Sequence, residues 1–188
     1  MTSAIWAVGR GTGVMALVLF SLTMVLGLVT RRGAALPGLP RFASLALHRN
    51  ASLLGVVFLV GHVVAMVLDP YAGVSLVATV VPLTASYRPL WVGLGALAVD
   101  ALAAVIVTSL LRGRLPARAW RAVHWLAYAL WPLAVVHTFG SGTDAWAPWL
   151  LAVQVPCIAA VAVAGVWRVV TARPAPLSLT LSSSRWSA

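Results

Sequence analysis

Long apolar runs separated by short polar segments divide this chain into five candidate membrane-spanning helices. A spanning helix needs about 20 mostly apolar residues, and the runs at 11–30, 40–68, 90–111, 116–139 and 146–170 meet that length. Residues 71–87 are also uncharged, but Gly73, Pro82, Thr84 and Ser86 interrupt them. The pattern therefore predicts an interfacial or re-entrant piece at 71–87 rather than a sixth span, and an all-α integral membrane protein with five transmembrane helices.

The composition supports this fold class. Hydrophobic residues make up 62% of the chain and charged residues 9%, and the mean hydropathy is +1.00, which indicates an integral membrane protein. The net charge of +10 does not indicate nucleic-acid binding, because the arginines lie between apolar runs and act as topology signals. Cys157 is the only cysteine, which excludes a disulfide framework. No small-residue cleavage site follows the first run, so we expect that run to be retained as a helix.

The arginines also predict the orientation of the spans. Eleven of them fall on one side of a five-span chain, whereas Arg10 and Arg88 fall on the other. By the positive-inside rule, the arginine-rich side is cytoplasmic, with the N-terminus outside and the C-terminus inside. We expect a multi-pass plasma-membrane protein in contact with lipid, with a domain at 1–171 and a disordered, Pro- and Ser-rich cytoplasmic tail at 172–188. The eleven arginines on the predicted cytoplasmic side are Arg31, Arg32, Arg41, Arg49, Arg112, Arg114, Arg118, Arg121, Arg168, Arg173 and Arg185.

The four histidines fall into two pairs. His48 and His62 lie fourteen residues apart on the second run, and His124 and His137 lie thirteen apart on the fourth. The segments LPRFASLALH and LPARAWRAVH share an L-P-x7-H pattern, so both helices begin at a proline on the same side. The first histidine of each then lies roughly 12 Å along its helix, and the second roughly 32 Å. His48 therefore matches His124 in depth, and His62 matches His137.

Matched pairs of histidines favour haem ligation. A single intramembrane histidine is better explained as a hydrogen-bonded polar residue, but polar groups in lipid are costly and by default mark function. Because neutral imidazole is an axial ligand of haem iron, two depth-matched pairs predict two bis-histidine haems about 20 Å apart along the helices. Thirteen residues fall about 140° short of four full turns, so we expect a kink or local rewinding at Trp131–Pro132.

The segments LHRNASLLGVVFLVGH and VHWLAYALWPLAVVH resemble the ferric reductase-like transmembrane domain. That superfamily includes ferric reductases, the NADPH oxidase membrane core and the haem subunit of a bacterial methionine sulfoxide reductase system. The resemblance covers roughly residues 11–168 and is closest to small bacterial members. It implies an oxidoreductase component of cytochrome b type with two stacked haem b groups. The ligands to iron would be His48 and His124 at the cytoplasmic side, and His62 and His137 at the outer side.

The chain departs from this family in two respects. It has five spans where many members have six, and we expect no flavin or NAD(P) site after the last span. The redox donor and acceptor would then be separate proteins or a quinone.

Several other residues have both a functional and a structural interpretation. Arg49 and Arg121 lie near the inner pair and could bind haem propionates, or they could be snorkelling topology arginines. Arg88 could do the same at the outer haem, although a simple interfacial charge is favoured. Asp100 could be a proton or quinone site, although a structural or ligand-orienting role is favoured.

The second span also contains two glycines. Gly55 and Gly61 could let a porphyrin approach closely, or they could be helix-packing sites.

The leading functional hypothesis is transmembrane electron transfer through two haems, from a cytoplasmic or quinol donor to ferric iron, oxygen or a flavin-bearing partner outside. One alternative is a haem-bearing membrane anchor subunit dedicated to one extracytoplasmic reductase. Another is a metal or proton transporter that uses the histidines and Asp100, although transporter sites usually converge near the midplane. A structural membrane subunit without a cofactor is the remaining alternative.

Overall fold

The computed structural model describes residues 2–30 and 40–171, and these form helices joined by loops. Among the described residues, five helical segments are long and apolar enough to cross a membrane, with α4 and α5 together forming the fourth. For this part of the chain, the prediction of an all-helical protein with five candidate spans is confirmed. The helices are α1 (Thr2–Thr30), α2 (Arg41–Leu68), α3 (Pro89–Leu110), α4 (Ala117–His124), α5 (Ala127–Ser141) and α6 (Pro148–Val170).

Prolines and one aspartate set several helix ends. Pro89 and Pro148 occupy the first turn of α3 and α6, where a missing N–H costs nothing. The α2 helix ends at Leu68, and the buried Asp69 carboxylate accepts a hydrogen bond from the Tyr71 N–H at 3.0 Å. The segment 71–87 that follows contains only one 3₁₀ turn, Val77–Thr79. The prediction that it does not span is therefore confirmed.

The first helix is longer at its N-terminal end than the apolar pattern predicts. Arg10 was expected to bound the first span, but it lies inside α1, which begins at Thr2. Its guanidinium forms an ion pair with Asp144 and lies 5.0 Å from the Trp6 ring centroid and 5.4 Å from that of Trp149. Because a tertiary partner balances this charge, the helix does not have to end there. The predicted tail at 172–188 and the loop at 31–39 lie outside the described residues.

The fourth span is interrupted earlier than expected. The break lies at Trp125–Leu126, between α4 and α5, whereas Pro132 lies within α5. Around the break, N–H groups bond to carbonyls three residues back, as in Leu126 to Val123 at 2.9 Å and Tyr128 to Trp125 at 3.0 Å.

The proline does not account for the position of the break. The ring of Pro132 crowds the carbonyl four residues earlier, at Tyr128, which already lies within α5. A 3₁₀ turn advances about 120° per residue instead of about 100°. The described bonds of this kind, from Leu126, Tyr128 and Ala129, would recover roughly 60° of the rotation that separates His124 from His137.

The helices pack as two antiparallel pairs with α6 against α1. On α1, Gly13 contacts His62 and Gly27 contacts His48, so α1 and α2 run in opposite directions; α3 packs on α5 in the same manner. Apolar side chains on the outside of the bundle are exposed, as expected for surfaces that face lipid. The core cluster consists of Leu17, Trp131, Val135 and Val161.

A buried polar contact joins α1 to α5 inside this core. The Trp131 indole Nε1–H donates to Ser21 Oγ at 2.9 Å, and the Ser21 hydroxyl donates to the Leu17 carbonyl within α1. Both residues are at most 9% exposed, so water cannot replace the contact. It fixes how α5 is rotated against α1.

We predict that Ser21→Ala lowers the free energy of unfolding by about 1 kcal/mol, the range found for hydrogen bonds between membrane helices. The reason is that the Trp131 N–H loses its acceptor in a site without water. Thermal denaturation in detergent measures the effect. Thr30→Ala is the control, because its hydroxyl bonds only within its own helix, to Leu26, among the described contacts. Equal stability of the Ser21 variant and the wild type would contradict this role.

Candidate functional site

A cavity of about 440 Å³ lies inside the bundle, with walls from α1, α2, α3 and α5. Its walls are mainly apolar, and two of the four histidines, His62 and His137, line it. Tyr71, Thr79 and Tyr87 from the 71–87 segment also line it, so this segment lies against the cavity. The apolar wall includes Val14, Leu17, Leu59, Val63, Val99 and Leu130.

The rings of the two cavity histidines lie close together. The ring centroids of His62 and His137 are 6.3 Å apart, and the ring planes are nearly perpendicular, at 83°. A metal–imidazole nitrogen bond is about 2.0–2.1 Å, so two imidazoles on opposite sides of one metal have centroids roughly 6 Å apart. The observed separation therefore leaves room for one metal ion between the rings. The predicted pairing of His62 with His137 is consistent with this geometry.

Hydrogen bonds determine which nitrogen of each ring is available. Nδ1 of His62 lies 2.7 Å from the Gly9 carbonyl oxygen, and Nδ1 of His137 lies 2.9 Å from that of Trp91. The Ser141 hydroxyl lies 3.1 Å from the same His137 nitrogen. A carbonyl oxygen can only accept, so Nδ1 carries the proton in both neutral rings. The lone pair is then on Nε2, which is the state that a metal ligand requires.

The other two histidines lie outside this cavity. His48 is half-buried, and its Nδ1 donates to the Thr23 carbonyl at 3.1 Å. His124 is the last residue of α4 and stacks on Trp120, with centroids 5.0 Å apart and planes at 20°. The Arg112 guanidinium lies 4.4 Å from the Trp120 ring centroid. The pairing of His48 with His124 stays a prediction from their matched depth.

The arginines singled out from the sequence do not line the cavity. Arg49 and Arg121 are exposed, and the Arg121 Nε–H donates to the Ala117 carbonyl of its own helix at 3.1 Å. The Arg88 side chain donates to the Gly140 carbonyl at 2.6 Å, which ties the start of α3 to the end of α5. Arg10, which the sequence did not single out, does line the cavity. No local pattern in the sequence marked Arg10 as a lining residue.

Asp100 and the two glycines of α2 also lie away from the cavity lining. Asp100 is exposed on α3. A Cβ on Gly55 would lie 3.0 Å from the Phe20 ring, and a Cβ on Gly61 would lie 3.4 Å from Thr12. Both glycines therefore serve the packing of α2 on α1, rather than the approach of a flat ligand.

Comparison with protein families matches residues 12–135 to the ferric reductase like transmembrane component. The chain belongs to this family. The match covers about two thirds of the chain. It includes His48, His62 and His124, and it ends two residues before His137. No curated protein and no solved structure matches the chain.

The cavity of this ferric reductase-like domain fits a haem. Its volume lies within the range of about 300–1,000 Å³ found for small-molecule sites, and its walls are mainly apolar, as a porphyrin requires. The Nδ1 hydrogen bonds of His62 and His137 leave an unprotonated nitrogen on each ring, as two protein ligands of one iron would need. Arg10 at the lining supplies a cation that suits a propionate.

We predict that Asp144→Asn destabilises the protein by about 1–3 kcal/mol, between the values for exposed and buried ion pairs. The Arg10 side chain is only 15% exposed, so its charge would lose its partner in a poorly hydrated place. Thermal denaturation in detergent is the measurement. Asp100→Asn is the control, since Asp100 is exposed and has no ion pair among the described residues. Equal losses in the two variants would show that the ion pair has no special role.

Proposed function

We propose that this protein carries electrons across a membrane through two haem b groups, each held by two histidines. The observation that supports the proposal best is the His62–His137 pair, whose ring centroids are 6.3 Å apart in the lining of an apolar cavity. Family membership supports the same class of function, since the family is that of ferric reductase-like transmembrane components. His62 and His137 would bind one iron, and His48 and His124 would bind the other.

Different residues of the chain would have different roles in this function. A haem held between the histidines would supply one-electron oxidation and reduction. His62 and His137 supply the nitrogens, and backbone carbonyls of α1 and α3 hold the protons at their Nδ1 atoms. The apolar walls exclude water, which keeps the redox centre away from side reactions. Arg10, and at the arginine-rich end Arg49 and Arg121, would pair with the haem propionates.

The electrons would enter at the arginine-rich, cytoplasmic end from a soluble donor or a quinol, and they would leave at the opposite end. The acceptor there would be ferric iron, oxygen or a flavin-bearing partner. A dedicated anchor subunit for one extracytoplasmic reductase is the second version of the same proposal, and it differs only in requiring that partner for activity.

A transporter is less well supported by the geometry. Among residues 2–30 and 40–171, no group of three His, Cys, Asp or Glu side chains is placed to hold a metal ion. Asp100, the acid that such a transporter would use, is exposed on α3 and does not line the cavity with His62 and His137. A bis-histidine site on a porphyrin needs only the two rings.

We predict two haems per chain in the purified protein. His62→Ala or His137→Ala should remove the same single haem, because each leaves one iron with one protein ligand, and His48→Ala or His124→Ala should remove the other. Haem quantitation and reduced-minus-oxidised spectra measure these losses. Asp100→Asn is the matched control and should keep both haems with wild-type spectra.

Two outcomes would count against this proposal. A wild-type protein that binds no haem would refute the electron-transfer function. Haem losses in which His62 and His137 behave as members of different pairs would refute the assignment of ligands.

We also predict the orientation of the chain from the arginine distribution. In a Cys157→Ala background, Thr143→Cys in the exposed α5–α6 loop should react with a membrane-impermeant maleimide on intact cells. Gly113→Cys, in the α3–α4 loop, should react only after permeabilisation, because that loop contains several arginines. The reverse labelling pattern would invert the proposed direction of the donor and acceptor sides.

A further inference from the structure

Three histidines pack against neighbouring helices in the same way. In each case Nδ1 lies within hydrogen-bond distance of a backbone carbonyl, and the imidazole also contacts the glycine four residues after that carbonyl. His62 uses the carbonyl of Gly9 and contacts Gly13. His48 uses Thr23 and contacts Gly27, and His137 uses Trp91 and contacts Gly95.

The four-residue spacing has a physical cause. In an α-helix the carbonyl of residue i bonds to the N–H of residue i+4, and side chains point back toward the N-terminus of the helix. A side chain at i+4 therefore covers the carbonyl of residue i. Glycine at i+4 leaves the second lone pair of that carbonyl open to an imidazole from another helix.

The fit of each ring against its glycine is close. A Cβ added at Gly13 would lie 2.8 Å from His62 Nδ1, and one added at Gly95 would lie 2.7 Å from His137 Nδ1. A Cβ at Gly27 would lie 3.4 Å from His48 Cε1. The first two positions exclude any side chain while the ring stays in place, whereas a Cβ at the third would make ordinary van der Waals contact with the ring.

The glycines on α1 also share the spacing of the histidines on α2. Gly13 and Gly27 are fourteen residues apart, as are His48 and His62. Because α1 and α2 are antiparallel, the first glycine meets the second histidine and the second glycine meets the first. The α1 helix therefore contacts histidines of both proposed haem sites.

We infer that Gly13, Gly27 and Gly95 are positioning residues for three of the axial ligands. Each opens a carbonyl that fixes the rotation of one imidazole and keeps its proton on Nδ1. The carbonyl bond makes Nε2 a stronger electron donor toward iron. This inference rests on the proposed haem function, and it assigns the glycines to the tuning of the haems rather than only to helix packing.

The test compares Gly13→Ala and Gly95→Ala with Gly11→Ala, in full-length protein purified in detergent. Gly11 lies on the same helix as Gly13, and a Cβ there meets nothing within 4 Å. We expect Gly13→Ala and Gly95→Ala to affect the same haem, because His62 and His137 share it. The expected effect is a 10- to 100-fold loss of haem affinity, as for other residues that orient metal ligands.

Where the haem is retained, its midpoint potential should rise, because a histidine Nε2 that donates less to iron favours the ferrous state. Its low-temperature electron paramagnetic resonance spectrum should change as well. Helix packing alone would not shift these quantities. The other haem of the same molecule should keep its spectrum and thereby report correct folding. Gly11→Ala should match the wild type, and Gly27→Ala should shift only the haem bound by His48, by a smaller amount.

Wild-type potentials and spectra in both Gly13→Ala and Gly95→Ala would overturn the inference while leaving the proposed function intact. A wild-type protein without haem would instead refute the proposed function. If Gly13→Ala misfolded and lost both haems, the inference would be judged on Gly95→Ala in α3. A wild-type potential and spectrum in that variant would then overturn it.

Discussion

The hydrogen bond from a histidine Nδ1–H to a backbone carbonyl of the next helix is the interaction on which this bundle depends. It is made by His48 and His62 between α2 and α1, and by His137 between α5 and α3. An imidazole N–H without an acceptor is costly in a bilayer, where water is absent. The same bond therefore satisfies a polar group, joins two helices and leaves Nε2 free.

The rest of the site follows from that constraint. With both Nδ1 atoms held by helix backbone, the free edges of the His62 and His137 rings lie at the same cavity. The Trp131–Ser21 contact then holds α5 against α1, and Arg88 holds the end of α5 against the start of α3. The helices that carry the histidines are thus fixed through their neighbours.

Much of the fold was predictable because the membrane imposes simple rules on length and charge. The apolar runs and prolines placed α2, α3 and α6 within two residues of their observed ends. The L-P-x7-H repeat and the rise of the helix predict that His62 pairs with His137. These features are local in sequence, and they depend on helix rise and hydropathy alone.

The features that were not predictable depend on contacts between distant parts of the chain. Arg10 remains inside α1 because Asp144 lies beside it in space. No local sequence pattern indicates this ion pair. The break at Trp125–Leu126 precedes Pro132 by more than a turn. Gly13 and Gly95 become informative only when the opposite helix places a ring on them, although the equal spacing of Gly13–Gly27 and His48–His62 was visible in the sequence.

The unequal lengths of the helices have a consequence for the bilayer. The 29 residues of α1 and the 28 of α2 extend for about 43 Å and about 42 Å, whereas the 22 of α3 extend for about 33 Å. A hydrocarbon core of about 30 Å fits α3 upright but is too thin for the α1–α2 pair, which therefore tilts or reaches into the headgroups. The fourteen residues between His48 and His62 span about 21 Å along α2. Any tilt of that helix reduces the difference in depth between His48 and His62. The mismatch between helix length and bilayer thickness therefore sets how far apart these two histidines lie along the membrane normal.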